Sequence, residues 1–170
     1  DAGQLAIKAA LVLLSPFTPM LFMGEEWAAS SPFQFFTSHP EPELGDAVRN
    51  GRRGEFAEHG WDAAEVPDPQ DPATFERSRL DWSEISEPAH QRMLGFYRDL
   101  IALRRAQPDL ARGDFASIDV EYDEQAGWFA MHRGQWTVVA VLGSAPATLP
   151  FDLVPDLSWE PPTADDAGRP

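Results

Sequence analysis

Two short stretches of this sequence carry the residues best suited to chemistry. In "SPFTPMLFMGEEW", Ser15 to Trp27, an apolar run over Met20, Leu21, Phe22 and Met23 ends on Gly24 and two adjacent carboxylates, Glu25 and Glu26. In "VRNGRRGEF", Arg49, Arg52 and Arg53 place three of the chain's 13 basic residues within five positions. Polar groups just past the end of a buried parallel strand are what an α/β architecture uses to build a site. A core strand followed by a solvated acidic turn gives the same pattern. Guanidinium forks suit a polyhydroxylated ligand or the orientation of carboxylates. They also serve to neutralise nearby acids within a fold.

Other chemistries have less support. The four histidines, His39, His59, His90 and His132, show no metal-ligand spacing and read as loop or helix-surface residues. No phosphate-binding glycine loop or nucleophile elbow occurs. The absence of cysteine removes disulfides, thiolate metal sites and thiol nucleophiles, and is compatible with a reducing cytoplasm, the expected location. The 28 acidic residues exceed the 13 basic ones by 15, a field that repels nucleic acid and anionic membranes but leaves neutral sugars open. At 43% hydrophobic residues over 170 positions, a packed core is expected, in one domain or parts of two. "DAGQLAIKAALVLL" lacks the features of a secretory signal, and Lys8, Pro16 and Pro19 interrupt any membrane span.

The elements that must position these clusters can be read in order. Leu5, Ala9 and Val12, with Ile7, Leu11 and Leu14 beside them, predict a helix ended by Ser15-Pro16. Met20–Met23 predicts a strand buried on both faces. A lone helix–strand pair has no parallel neighbours, so the chain is expected to be a piece of something larger. Residues 28–85 show little periodicity, and Phe33, Phe35, Phe36, Phe56, Trp61, Phe75 and Trp82 argue for a long ordered loop. A helix follows, N-capped by Ser86 with Glu87 and Pro88 in its first turn, presenting Met93, Phe96, Tyr97, Leu100, Ile101 and Leu103 and stopped by Pro108. Arg104 and Arg105 suit its C-terminal dipole, while Glu87 and Asp99 read as solvated. From about residue 109, "FASIDVEYD", "GWFAMHRG", "QWTVVAVLG" and "ATLPFDL" predict an antiparallel sheet, and the tail "EPPTADDAGRP" is expected to fray.

"TPMLFMGEEW" resembles the eighth barrel strand of the α-amylase family of glycoside hydrolases, whose pattern there runs Gly-x-Pro-x-x-x-x-Gly-Asp/Glu-Glu. Pro19, Gly24, Glu25 and Glu26 match, and Phe17 replaces the leading glycine. With "PFQFFTSH", "AVRNGRRGEF", "GW" and "VPDPQDPATFERSRLDW", the ordered set resembles the trehalose-releasing branch of that family, from residue 1 to about 105 and more loosely beyond. The resemblance implies an α/β part, residues 1–108, forming the end of a (β/α)₈ barrel: seventh helix, eighth strand, long loop and eighth helix. A small all-β antiparallel sandwich over 109–170 would follow.

The implied reaction is hydrolysis of the α-1,4-glucosidic bond next to the terminal trehalose of a malto-oligosyltrehalose, by retaining chemistry with two carboxylates. In the family those carboxylates and a supporting Asp stand on strands 4, 5 and 7, upstream of Asp1. No catalytic residue, metal or cofactor is therefore assigned to this chain, and the missing part of its own barrel is its expected partner. Glu25, Glu26, Arg49 and Arg52 become candidate substrate-binding residues, although one of the acidic pair typically braces the site. Two other readings stay open. One is the same portion of a glycogen-branching or related enzyme, disfavoured by "VRNGRRGEF". The other is a non-catalytic carbohydrate-binding module, which the β half alone would allow.

Overall fold

The structure, a computed structural model, describes residues 1–60, 62, 65–143, 145–152 and 154–160. These form two compact bodies, one of Asp1–Ala28 with Ile85–Pro170 and one of Ala29–Glu84. Trp61 and the tail beyond Glu160 lie outside the described residues, so the readings of an ordered Trp61 and of a fraying tail fall there.

In the first body, helix α1 spans Ala2–Leu14, with the Asp1 side chain accepting a hydrogen bond from the Gln4 N–H at 2.9 Å. Its buried face is Ala6, Ala9, Leu13 and Leu14, whereas Leu5 is exposed. The face is thus rotated from the predicted Leu5–Ala9–Val12 stripe. Small side chains at Ala6 and Ala9 let α1 approach the helix α4, Pro88–Ala106, closely. That helix buries Met93, Tyr97 and Leu100, as its spacing predicts. Its N-cap is Glu87, without a side-chain capping bond, because Ser86 closes the preceding 3₁₀ turn Trp82–Ser86. A short helix α5, Pro108–Ala111, buries Leu110.

Three antiparallel strands, β1 Ile118–Asp123, β2 Trp128–Arg133 and β3 Trp136–Val141, make a sheet in the order β1-β2-β3. Register pairs Met131 with both Val120 and Val138, and Met131 and Val138 join the core formed with α1 and α4. The β2–β3 turn starts at Gly134, with φ 62°. A Cβ there would displace the Asp109 carboxylate, and the positive φ itself favours glycine. Residues 147–152 add no fourth strand. Instead Phe151 packs edge-on against Trp128 and His132 on the face turned away from the helices, at centroid distances of 5.9 and 5.8 Å.

Two arginines tie this body together. Arg104 donates to the carbonyls of Leu13, Ser15 and Phe17, and Arg133 to those of Leu14, Leu110 and Arg112. The carbonyls left open at the end of α1 are thereby satisfied. Arg104 serves the neighbouring helix in this way, in addition to any effect on its own dipole. Burial lowers the pKa of both guanidinium groups, and for Arg133 the charge of Arg104 lowers it further.

The predicted strand at Met20–Met23 does not form, because β1–β3 pair only among themselves and no strand among the described residues lies beside it. The four side chains are exposed, Met20 to 88%. An apolar run built for burial on two faces is left uncovered among the described residues.

The second body is more ordered than a loop. Helix α2 spans Pro42–Glu58 and helix α3 spans Pro72–Arg77, each with proline in its first turn. Phe33, Phe36 and Phe75 stack edge-on, with centroids 6.2 and 5.1 Å apart. Polar cross-links complete the body: the Thr37 N–H donates to Pro69 O at 2.8 Å, the Gln34 N–H to Ser78 Oγ at 3.0 Å, and the Ser30 N–H to the buried Glu84 at 3.1 Å. Among the described residues, no helix of either body is long and apolar enough to cross a membrane.

Candidate functional site

The acidic pair sits on a 3₁₀ turn, Glu25–Trp27, bounded by two left-handed residues, Gly24 at φ 85° and Ala28 at φ 57°. Glycine takes that conformation freely, but alanine is strained by about 1 kcal/mol, so the surroundings must hold Ala28 there. Three contacts do so. Trp27 is buried at 2% exposure. The His90 ring lies with Nδ1 2.7 Å from the Trp27 carbonyl, which suits an N–H donor. Glu25 is gripped from two helices: Lys8 Nζ of α1 donates to its Oε2 at 3.0 Å, and the Tyr97 hydroxyl of α4 donates to its Oε1 at 3.3 Å.

These anchors separate the neighbours. Both Glu25 oxygens are engaged, and its side chain is 18% exposed. Glu26, half-buried, takes part in no hydrogen bond or ion pair among the described residues. Its charge still bears on Tyr97, whose pKa is raised first by burial, then by the charge and hydrogen bond of Glu25, then by the charge of Glu26. Tyr97 therefore stays a neutral donor over the working pH range.

The basic cluster lies on α2 in the second body. Arg49 and Arg52, three residues apart, share a face of the helix, yet they have different partners. Arg49 donates through Nε to Asp68 at 2.6 Å and through a terminal nitrogen to Asp46. The Asp68 hydrogen bond is the main cause of the raised Arg49 pKa. For Asp68, burial pushes the carboxyl up, but the Gln70 N–H and Arg49 outweigh it and hold the group below its usual range. Arg52 donates to the exposed Glu55 at 2.9 Å, with its guanidinium carbon 5.1 Å from the Phe35 ring centroid and 4.4 Å from that of Phe56. The guanidinium thus lies against both rings. The pairs Glu25–Glu26 and Arg49–Arg52 belong to different bodies.

Lys8, Tyr97 and His90 were not singled out for this site by the sequence, and neither was Asp68 as the partner of Arg49. Tyr97 reads as core from its spacing and His90 as a surface histidine; nothing local marks either as an anchor 72 or 63 residues from its partner.

A solved structure from Salmonella typhimurium, assigned as an α-amylase, matches 99% of this chain with a TM-score of 0.73 and 34% identity, over 29% of its own length. The likeness is thus to an α-amylase-type protein. Relatives named malto-oligosyltrehalose trehalohydrolase are 56% identical over 96% of the chain (Mycobacterium tuberculosis), 59% over 87% (Arthrobacter ramosus) and 54% over 99% (Brevibacterium helvolum). By sequence the chain is similar to the C-terminal portion of the malto-oligosyltrehalose trehalohydrolases. It spans about 28% of the length of the first of these relatives. No protein-family model matches it.

Proposed function

We propose that this chain is the C-terminal part of a glycoside hydrolase that cleaves the α-1,4-glucosidic bond beside the terminal trehalose of a malto-oligosyltrehalose, releasing trehalose. The observation that carries this reading is the 54–59% identity to trehalohydrolases sustained over most of the chain. Residues 1–108 would complete a (β/α)₈ barrel in the cytoplasm, with Met20–Met23 as its eighth strand between neighbours supplied by the rest of the protein. The exposure of those four side chains supports that role. Residues 109–170 would form the terminal β domain, a sandwich when its second layer is in place.

The two catalytic carboxylates of a retaining hydrolase must flank the scissile bond about 5–5.5 Å apart. In this reading both come from the preceding part of the protein, and this chain supplies neither. Its own residues bind and orient. Glu26 would accept from sugar hydroxyls at the strand end while Glu25 holds the turn. Arg49 and Arg52 would face the trehalose unit, where an uncharged ligand is recognised by oriented donors. No cofactor is called for.

The test is product analysis with the full-length enzyme on maltotriosyltrehalose and on a maltooligosaccharide of equal length. Trehalose released from the first, with at most slow attack on the second, is the expected result. Comparable cleavage of both without trehalose, or transfer to a branch point, would overturn the reading. The isolated 170-residue chain is expected to release no trehalose.

A further inference from the structure

The geometry points to Lys8 and Tyr97 as positioning residues that act through Glu25 to fix the turn from which Glu26 meets the substrate. This rests on the proposed sugar-cleaving reading of the same site. The turn is short, and its two left-handed ends do not hold themselves, Ala28 least of all. What holds it on the Glu25 side is a carboxylate shared between two helices, one oxygen to each. The donors differ in kind. Lys8 is half exposed and supplies charge, whereas Tyr97 is 2% exposed and supplies direction from within the core. A phenol buried beside two carboxylates cannot ionise at working pH, so its proton is always available to Glu25.

Glu25 spends both oxygens on this frame and has little left for a sugar. Glu26, one residue on, has no partner among the described residues and stands on a turn whose position the frame determines. A carboxylate that must meet particular hydroxyls loses its discrimination if its turn shifts by an ångström. Tyr97 and Lys8 thereby contribute to catalysis without touching substrate.

The experiment is a double-mutant cycle in the full-length enzyme with Y97F, K8M and E25Q, reading kcat/KM on maltotriosyltrehalose. Each single change is expected to lower kcat/KM, Y97F by about 10-fold, as for a lost hydrogen bond to a charged group. The Y97F/E25Q double variant should be no worse than E25Q alone, since both remove the same link. The melting temperature of Y97F should fall only slightly, because the phenyl ring keeps the core filled while the link to Glu25 is lost. Multiplying losses, or a fall in melting temperature with unchanged kcat/KM, would overturn the assignment. A second readout keeps it separate from the functional reading: amide exchange at Glu25 and Ala28, whose N–H groups bond within the turn, should quicken in Y97F and K8M. If wild type releases no trehalose but exchange quickens, the functional reading fails and the frame stands. If exchange is unchanged, the frame fails whatever the activity.

Discussion

The acidic pair of the first body and the arginine pair of the second are built on opposite principles. Glu25 is held from the core, by a buried phenol and by a turn pinned through Trp27 and His90. Arg49 and Arg52 stand on a helix whose only buried residue is Gly45, held by side chains a few residues away or across one loop. In each pair one member is spoken for by its own body and the other keeps capacity for a ligand. The frame behind the acids is part of the hydrophobic core, so damage there should cost stability and function together. Damage around the arginines should cost mainly function, because ion pairs near the surface contribute little to stability.

The largest effect is expected at Arg133. It is 1% exposed and closes the end of α1 together with Arg104. Arg133→Met would leave the Leu14, Leu110 and Arg112 carbonyls without their donor. Unsatisfied buried acceptors cost about 1–3 kcal/mol each, so a loss of roughly 3 kcal/mol or more is expected in urea unfolding of the full-length protein. The compensation is that Arg133 Nε–H has no partner among the described residues, and methionine removes that penalty. A variant as stable as wild type would mean that this frame does not rest on the arginines.

Arg52→Ala should do the reverse. Its donors beyond the one to Glu55 have no partner among the described residues and lie beside Phe35 and Phe56, and losing one hydrogen bond to a sugar hydroxyl should lower kcat/KM for maltotriosyltrehalose by about 10-fold. The melting temperature should move little, and cleavage of plain maltooligosaccharide should be spared. Arg49→Ala is expected to give a smaller and less selective loss, because Asp46 and Asp68 already occupy its fork. Equal, unselective losses in both variants would assign both arginines to the frame of their own body.

How far the sequence reaches differs between the two bodies for the same reason. Helix α4 is readable because Met93, Tyr97 and Leu100 repeat on one face between Pro88 and Pro108. The β2–β3 turn is readable because Gly134 interrupts two β-rich runs. Helix α2 is not, since "PELGDAVRNGRRGEFAE" buries no apolar stripe and carries three glycines. Its order comes from Pro42 and from contacts made by Asp68 and Phe35, which no local pattern announces. Met20–Met23 is the converse case: its apolar run reads as a strand buried on both faces, yet the side chains are exposed, because a strand exists only beside another strand. At the site, the four candidate side chains are visible as clusters, while their division into held and open members depends on Lys8 and Tyr97, 17 and 72 residues from Glu25.

The smallest expected effects separate the two bodies by pH. Tyr97 has a raised pKa in the folded state, so its contribution is complete below the unfolded value of about 10 and is lost as pH rises above it, when the unfolded phenol ionises first. Asp68 has a lowered pKa, so its contribution is present above the unfolded value of about 3.9 and is lost as pH falls through the folded one. In urea unfolding of the full-length protein, the stability difference between wild type and Y97F should therefore shrink above pH 10 and stay flat in acid. The difference between wild type and D68N should shrink below pH 4 and stay flat in alkali. Arg49, being charged throughout, does not alter either limb. A Y97F difference that is flat in alkali would show the phenol ionising alike in both states, which its burial between α1 and Glu25 does not allow.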